Sequence, residues 1–255
     1  MKIGLVGLGV VGCATREMLM ASGQNAFARF DPPKGLCEPL SDCEVVFISV
    51  PVPTLTNGTQ GLSILKSSIL NCPEKAHIFI RSSVLPGTAA HMNGLMPWSQ
   101  IYSLPEFLTQ RQAHKDALTL PLIASGHGAK VLTDILHTKK ILIVKTEEEC
   151  EFIKYMHNSF AAMKVGFFNS MYNLCTQEGY DYNNCVDVAC EVTGFIEKTH
   201  TKVPGPDGRI GFGGSCISKD LLAFVKFLNG KTGQETFLEN VFRENLLRRV
   251  DINNL

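Results

Sequence analysis

The sequence has no long apolar run, no excess of either charge and no close cysteine pair. No stretch reaches the roughly 18 consecutive apolar residues that a membrane span needs. Lys+Arg and Asp+Glu balance at 24 each, so the basic footprint of a nucleic-acid binder is missing. The nine cysteines (13, 37, 43, 72, 150, 175, 185, 190 and 216) are irregularly spaced and include no CxxC, so no metal site is expected. The opening MKIGLVGLGVVG has no small-residue cleavage site and reads as a buried strand rather than a signal peptide. Reduced thiols in a cytoplasmic protein are therefore expected. Internal repeats and low-complexity segments are also absent. What remains is 45% hydrophobic and 19% charged over 255 residues, enough to bury a sizeable core in one large domain or two modest ones.

Short apolar runs alternate with helical or turn-rich stretches through the first 145 residues. KIGLVG (2–7), NAFARFD (25–31), CEVVFISV (43–50), AHIFIRSS (76–83), QIYSLPE (100–106), LPLIASG (120–126) and KKILIVK (139–145) are strand candidates. Their length and β-branched content suit buried strands, and the alternation predicts an α/β fold with a Rossmann-like, doubly wound parallel sheet. After Lys145 the texture changes. A proline-free run predicts one long helix from Thr146 to about Gln177, opened by a Thr146/Glu149 capping box and stopped at Gly179. Further helices are expected near Tyr182–Cys190, Ile217–Leu228 and Gln234–Arg249, with a long loop over 198–215. Two domains follow: residues 1–145, and a smaller all-helical domain over 146–255.

GLGVVG places Gly7, Gly9 and Gly12 in GxGxxG spacing, with Leu8, Val10 and Val11 between them. The match alone is weak, but a strand precedes it, a helix follows it, and Asp31 ends the next strand 19 residues beyond Gly12. Gly7 allows the tight turn, Gly9 a close approach of pyrophosphate, and Gly12 the packing of helix on strand. Free N–H groups at the helix start would meet the pyrophosphate. Asp31 would accept from ribose hydroxyls and repel a 2′-phosphate, which favours NAD, although Lys34 and Arg29 leave room for NADP.

In GRIGFGGSCISKD (208–220) four glycines in seven residues lead into Cys216, and Asp220 follows one helical turn later. Taken alone, such a loop is a turn with a packed thiol. A helix starting near Ser215 would instead put the thiol at its positive end, which favours thiolate.

Five motifs in one order resemble the nucleotide-sugar dehydrogenases, the UDP-glucose and GDP-mannose 6-dehydrogenase family. They are SVPVPT (49–54), SSVLPGT (82–88), LPEFL (104–108), EFIKYMHNSFAAMKVGFFN (151–169) and GFGGSCISKD (211–220). The resemblance implies NAD contacts at Lys34, Val50, Pro51, Thr54, Ser83 and Gln110 in addition to the glycine turn and Asp31. It implies a substrate site at Glu106, Phe107, Leu108, Lys154, Asn158, Phe212 and Gly213. Cys216 would be the nucleophile that traps an aldehyde between two hydride losses. Lys154 and Asn158, one turn apart, could face one oxyanion. Asp220 would position water or move a proton, and Glu106 would be the base for hydrolysis.

Three features depart from the family. Ser83 stands where threonine is usual, and Gln110 where a glutamate is expected. The chain ends at LLRRVDINNL, which implies a short form without the family's second Rossmann-like domain. The arginine that a partner subunit contributes in the family cannot be placed in this sequence, and the basic loop bearing His200, Lys202 and Arg209 could meet a diphosphate in its stead. The expected partners are a nucleotide sugar and, because the long helix is apolar nearly all round, a second copy of the chain. Two rival readings remain: a single-hydride enzyme of the 6-phosphogluconate or β-hydroxyacid dehydrogenase type, and a non-catalytic binder of NAD or a sugar nucleotide.

Overall fold

Each apolar run of the first half forms a strand shorter than the run itself, and the expected burial fails in the last, where Leu142 and Ile143 are exposed. The computed structural model of the protein describes residues 1–55, 57–137, 139–214 and 216–249. In order, the first unit contains β1 (Ile3–Val6), α1 (Val10–Ala21), β2 (Phe27–Asp31), a 3-10 turn at Pro32–Lys34 and β3 (Leu36–Cys37). Then come β4 (Val45–Ile48), α2 (Ser63–Leu70), β5 (His77–Ile80), α3 (Thr88–Leu95), β6 (Gln100–Ser103), α4 (Ala113–Thr119), β7 (Leu122–Ser125), α5 (Gly126–Ile135) and β8 (Ile141–Val144). The main sheet has the order β3-β2-β1-β4-β5-β6 and is parallel except for β3, which runs antiparallel to β2.

Strand side chains alternate between two cores, as a sheet covered on both faces requires. Ile3, Leu5, Val45, Phe47 and Phe79 pack toward α1, α4 and α5, whereas Val6, Val46, Ile48, Ile78 and Ile80 pack toward α2 and α3. Phe47, Phe79 and Tyr102 are register partners on β4, β5 and β6, and their rings stack at centroid distances of 5.3 and 5.1 Å. That ladder binds the centre of the sheet to its edge.

Two details differ from the sequence reading. The two-residue β3 was not anticipated; the 3-10 turn after β2 reverses the chain, and Arg29 of β2 then pairs with Glu38 at 2.6 Å. The last two strand candidates pair with each other rather than extending the main sheet. At the end of β6, the Ser103 N–H that a neighbouring strand could accept is taken by the Glu147 carboxylate at 2.5 Å, and Glu147 also bonds the Ser125 hydroxyl at the end of β7.

The second unit is all helical, with the greater part of α6 (Glu147–Glu178), α7 (Tyr182–Thr193), α8 (Ile217–Thr232) and α9 (Phe237–Arg249). Its core includes Ala162, Phe212, Leu221 and Val225, with a second cluster around Phe168, Tyr182 and Val203. Thr146 caps α6 through its hydroxyl and the Glu149 N–H at 3.2 Å, while the Glu149 side chain returns to the Lys145 N–H at 2.7 Å. Among the described residues no helix is long and apolar enough to cross a membrane.

The units divide between Lys154 and Tyr155, inside α6, rather than near residue 145. The reason is a polar face at i, i+4 and i+7 on the first two turns of α6: Glu147, Glu151 and Lys154 all bond within the first unit. Glu151 is buried and accepts from the Gly87 and Ala89 N–H groups at 2.6 and 2.8 Å, capping α3, and from the Ser103 hydroxyl at 2.7 Å.

Burial pushes the Glu151 carboxyl up to about 7 against the pull of those three donors, whereas an exposed glutamate titrates near about 4.3. The native state thus binds more protons across this window, and stability falls as pH rises through it. Glu147, raised by burial too, shares the sign. Glu151→Gln is expected to flatten the fall in Tm between about pH 5 and about pH 8. A variant with the parent's full slope shows that another group sets it.

Candidate active site

The β1–α1 turn is built for close approach. Gly7 has φ +77°, and a Cβ at Gly12 would lie 1.9 Å from the Gly7 carbonyl oxygen, so neither position accepts another residue without moving backbone. Gly9 is the N-terminal cap residue of α1 and is exposed; a Cβ there would meet nothing within 4 Å. Val10, Val11 and Gly12 follow in the first turn, whose N–H groups have no acceptor within the helix. Asp31, at the end of β2, accepts the Leu8 N–H through Oδ2 at 2.7 Å. Lys34 lies 3.9 Å from the same oxygen and donates to the Leu8 carbonyl. Arg29 is tied to Glu38, so of the two cations considered for a 2′-phosphate only Lys34 stands beside Asp31. A small backbone cradle with one carboxylate at the strand end fits the diphosphate and ribose of NAD.

The sheet order reverses between β1 and β4, and ligands of doubly wound sheets collect at the carboxyl ends of strands there. Val50, Pro51 and Thr54 follow β4, and Ser83 follows β5. The Val50 carbonyl accepts the Ser82 hydroxyl at 2.6 Å, and Gln60 Nε2 donates to the Ser83 carbonyl at 3.2 Å. Thr54 pairs with Gln60 as an isolated bridge. Gln110 is exposed on the segment before α4.

Lys154 and Glu106 form a buried pair in the first unit, 5% and 9% exposed, with Lys154 Nζ 3.1 Å from Oε1 and 2.6 Å from the Glu106 carbonyl oxygen. Glu106 Oε2 accepts the Leu108 N–H at 2.7 Å, and the Phe107 ring lies 5.4 Å from Lys154 Nζ. Phe107 and Leu108 thus fix the pair from two sides. Arg81 was missed in the sequence. It is buried on β5's extension, donates to Thr15 Oγ1 of α1 at 3.1 Å and to the Leu104 carbonyl at 3.3 Å, and burial lowers it to about 10 while the Glu106 charge holds it up. The signal was a lone cation ending the apolar run HIFIR.

In the second unit Cys216 is exposed at the N-terminal cap position of α8. The Asp220 N–H donates to the Cys216 carbonyl at 2.9 Å. Asp220 is 1% exposed, and its carboxylate accepts Asn158 Nδ2 at 2.7 Å and the Lys219 ammonium. The Asp220 carboxylate thereby orients Asn158, whose Oδ1 faces His157 Nδ1 at 3.0 Å. Lys219 was also not anticipated. Phe212 and Gly213 stand in the loop before Cys216. The Phe212 ring is buried in the core, its N–H and C=O are both held by Asn245, and the open side of Gly213 faces Arg249. The Phe212 backbone is thus engaged within the chain itself. His200, Lys202 and Arg209 are exposed on the loop before Phe212. Among the described residues no group of acidic, histidine or cysteine side chains could hold a metal.

The profile of the UDP-glucose/GDP-mannose dehydrogenase family, central domain, matches residues 148–246. A UDP-glucose 6-dehydrogenase of Rickettsia bellii is 32% identical over 228 residues, which span 82% of this chain and 50% of the relative. A GDP-mannose 6-dehydrogenase of Pseudomonas aeruginosa is 28% identical over 228 residues, spanning 80% and 51%. The chain belongs to the UDP-glucose/GDP-mannose dehydrogenase family. It spans about half the length of the curated relatives it matches. A UDP-glucose dehydrogenase from Pyrobaculum islandicum superposes with a TM-score of 0.82 at 21% identity, covering 96% of this chain and 68% of that one. A Mycobacterium tuberculosis 3-hydroxyisobutyrate dehydrogenase superposes at 0.73 and 17%, covering 95% and 91%. These two likenesses establish a shared fold.

For this family member the turn geometry yields two expectations. Gly12→Ala overpacks the turn and should cost about 1–3 kcal/mol, read as a fall in Tm of about 2–10 °C. Unchanged melting would mean the turn relaxes freely. Asp31→Ala should narrow the preference for NAD over NADP measured by calorimetry; equal affinities in the parent chain would contradict the role given to Asp31.

Proposed function

We propose that this chain carries the chemistry of an NAD-dependent nucleotide-sugar 6-dehydrogenase of UDP-glucose type, with Cys216 as nucleophile. The observation that carries this reading is exposed Cys216 at the start of α8, with Asp220 one turn along the helix holding Asn158, in a chain whose other buried pair, Lys154–Glu106, follows the family order.

A primary alcohol becomes an acid by losing two hydrides and two protons and taking up one water. The first loss gives an aldehyde. The Cys216 sulfur adds to its carbonyl carbon, and the thiol proton passes to oxygen, giving a thiohemiacetal. Loss of the second hydride and the hydroxyl proton gives a thioester; water attacks, the C–S bond breaks, and acid and thiol are released. NAD, when bound, supplies the hydride acceptor. Lys154 donates to oxygen that gains negative charge, and the second N–H of the Asn158 amide can do the same while Asp220 holds the first. Glu106, bonded to Lys154, is the base that takes a proton from water.

The family also suggests a homodimer, and the helix surface supports it. Of the apolar residues on α6, Tyr155 and Phe168 are buried, but Met156, Phe160, Phe167 and Leu174 stay 46–57% exposed, the last three at seven-residue spacing. Such a stripe suits another helix of its kind. Light scattering should give twice the 28.0 kDa chain mass; an active monomer would overturn this assembly.

A panel of UDP-, GDP- and dTDP-sugars, each with NAD, tests the reaction itself. About two NADH per sugar oxidised are expected. One NADH per substrate favours the single-hydride reading, for which the helix-borne Lys154 and the shared fold of the 3-hydroxyisobutyrate dehydrogenase speak. Binding without NADH release favours the non-catalytic one. Cys216→Ser should lower steady-state turnover by about 1,000-fold or more and leave NAD affinity within about twofold.

A further inference from the structure

The glycines before Cys216 are explained by α9. Asn245, buried on that helix, faces the backbone of Phe212: its Oδ1 accepts the Phe212 N–H at 2.7 Å and its Nδ2 donates to the Phe212 C=O at 2.9 Å. One turn later Arg249 donates through Nη2 to the Gly211 C=O at 2.6 Å and through Nη1 to the Asp207 carboxylate at 2.6 Å. Asn169 of α6 accepts the Gly211 N–H at 2.8 Å. Gly211 and Phe212 belong to no helix or strand, so side chains supply the partners that their buried backbone groups require.

Two glycines make the room for this. A Cβ at Gly211 would lie 2.5 Å from Asn245 Oδ1, and one at Gly213 would lie 2.6 Å from Arg249 Nη1. The Phe212 ring, buried with Ala162, Leu221 and Val225, anchors the same segment from its other side. The guanidinium fork is suited to holding a carboxylate and a carbonyl at once, which a lysine ammonium does without the fixed geometry.

We infer that Asn245 and Arg249 are positioning residues for the Cys216 nucleophile. They clamp the segment 207–213, which ends three residues before the thiol, and so set where α8 begins and where the sulfur stands. The catalytic half of this inference rests on the thiol reading given above; the clamp itself does not.

Hydrogen exchange with peptide-level mass spectrometry reads the clamp directly, because amides that lose their acceptor exchange through local opening. Asn245→Ala and Arg249→Ala should each speed exchange in the 207–213 segment by about tenfold or more and leave the β1–α1 segment unchanged. Both should lower kcat by about tenfold or more with KM for NAD within about twofold, and Arg249→Lys should recover part of the loss. Gly213→Ala should be as harmful as Arg249→Ala, yet add nothing in the Arg249→Ala background, where the methyl has space. This pairing separates a local clamp from general loss of folding, which would add. Unchanged exchange in both alanine variants overturns the clamp; faster exchange with unchanged kcat overturns the positioning role. If the parent chain forms no NADH with any sugar nucleotide, the thiol reading is what fails. The rate of Cys216 labelling by iodoacetamide then replaces kcat, and a change of less than about threefold in both variants overturns the inference.

Discussion

Burying the Lys154 ammonium against Glu106 is the constraint on which the candidate residues of the first unit depend. Two charges leave water only where their geometry is good and their remaining valences are filled, and breaking such a pair from one side costs about 3–5 kcal/mol. Here Glu106 receives both the Lys154 ammonium and the Leu108 amide, and it lies in the field of a third buried charge, Arg81. Lys154 can take this position because Glu147 and Glu151 seat the preceding turns of α6 at the ends of β6 and β7 and on the start of α3. The polar face of one helix therefore decides where Lys154 stands.

The second unit solves the equivalent problem with neutral groups as well as charges. Asp220 can be buried because Asn158 and Lys219 satisfy it. The loop before the thiol has neither helix nor strand to satisfy its backbone and relies on Asn169, Asn245 and Arg249. Glycine at 211 and 213 is thus a requirement of intramolecular packing, and the family's glycine-rich motif is read as a dock for α9 as much as an approach to substrate.

The regular parts of this design were legible in the sequence. Alternating apolar runs located every strand longer than two residues, and the Thr146/Glu149 signal located the start of α6, because period and capping are local properties. Gly7, Gly12 and Asp31 were legible for the same reason: a tight βα turn allows few residue types. The partners of the catalytic candidates were not. Nothing within a few residues of Glu106 shows that Lys154 will bond it, or that Asp220 will hold Asn158 from 62 positions away. Nor does the sequence around Phe212 and Gly213 show that Asn245 and Arg249, more than thirty residues downstream, will face them. The division inside α6 escaped for a related reason, since one continuous helix carries no change of texture at Lys154.

The proposed function stands or falls on a covalent bond between Cys216 and the oxidised substrate carbon. Peptide mass spectrometry after an acid quench tests it most directly, with the chain turning over a nucleotide sugar and NAD. A thioester on the Cys216 peptide, gaining the mass of the acyl sugar nucleotide and cleaved by hydroxylamine, is the predicted result. Two NADH per sugar with no adduct at Cys216 at any quench time, and full turnover after the thiol is blocked, would contradict it.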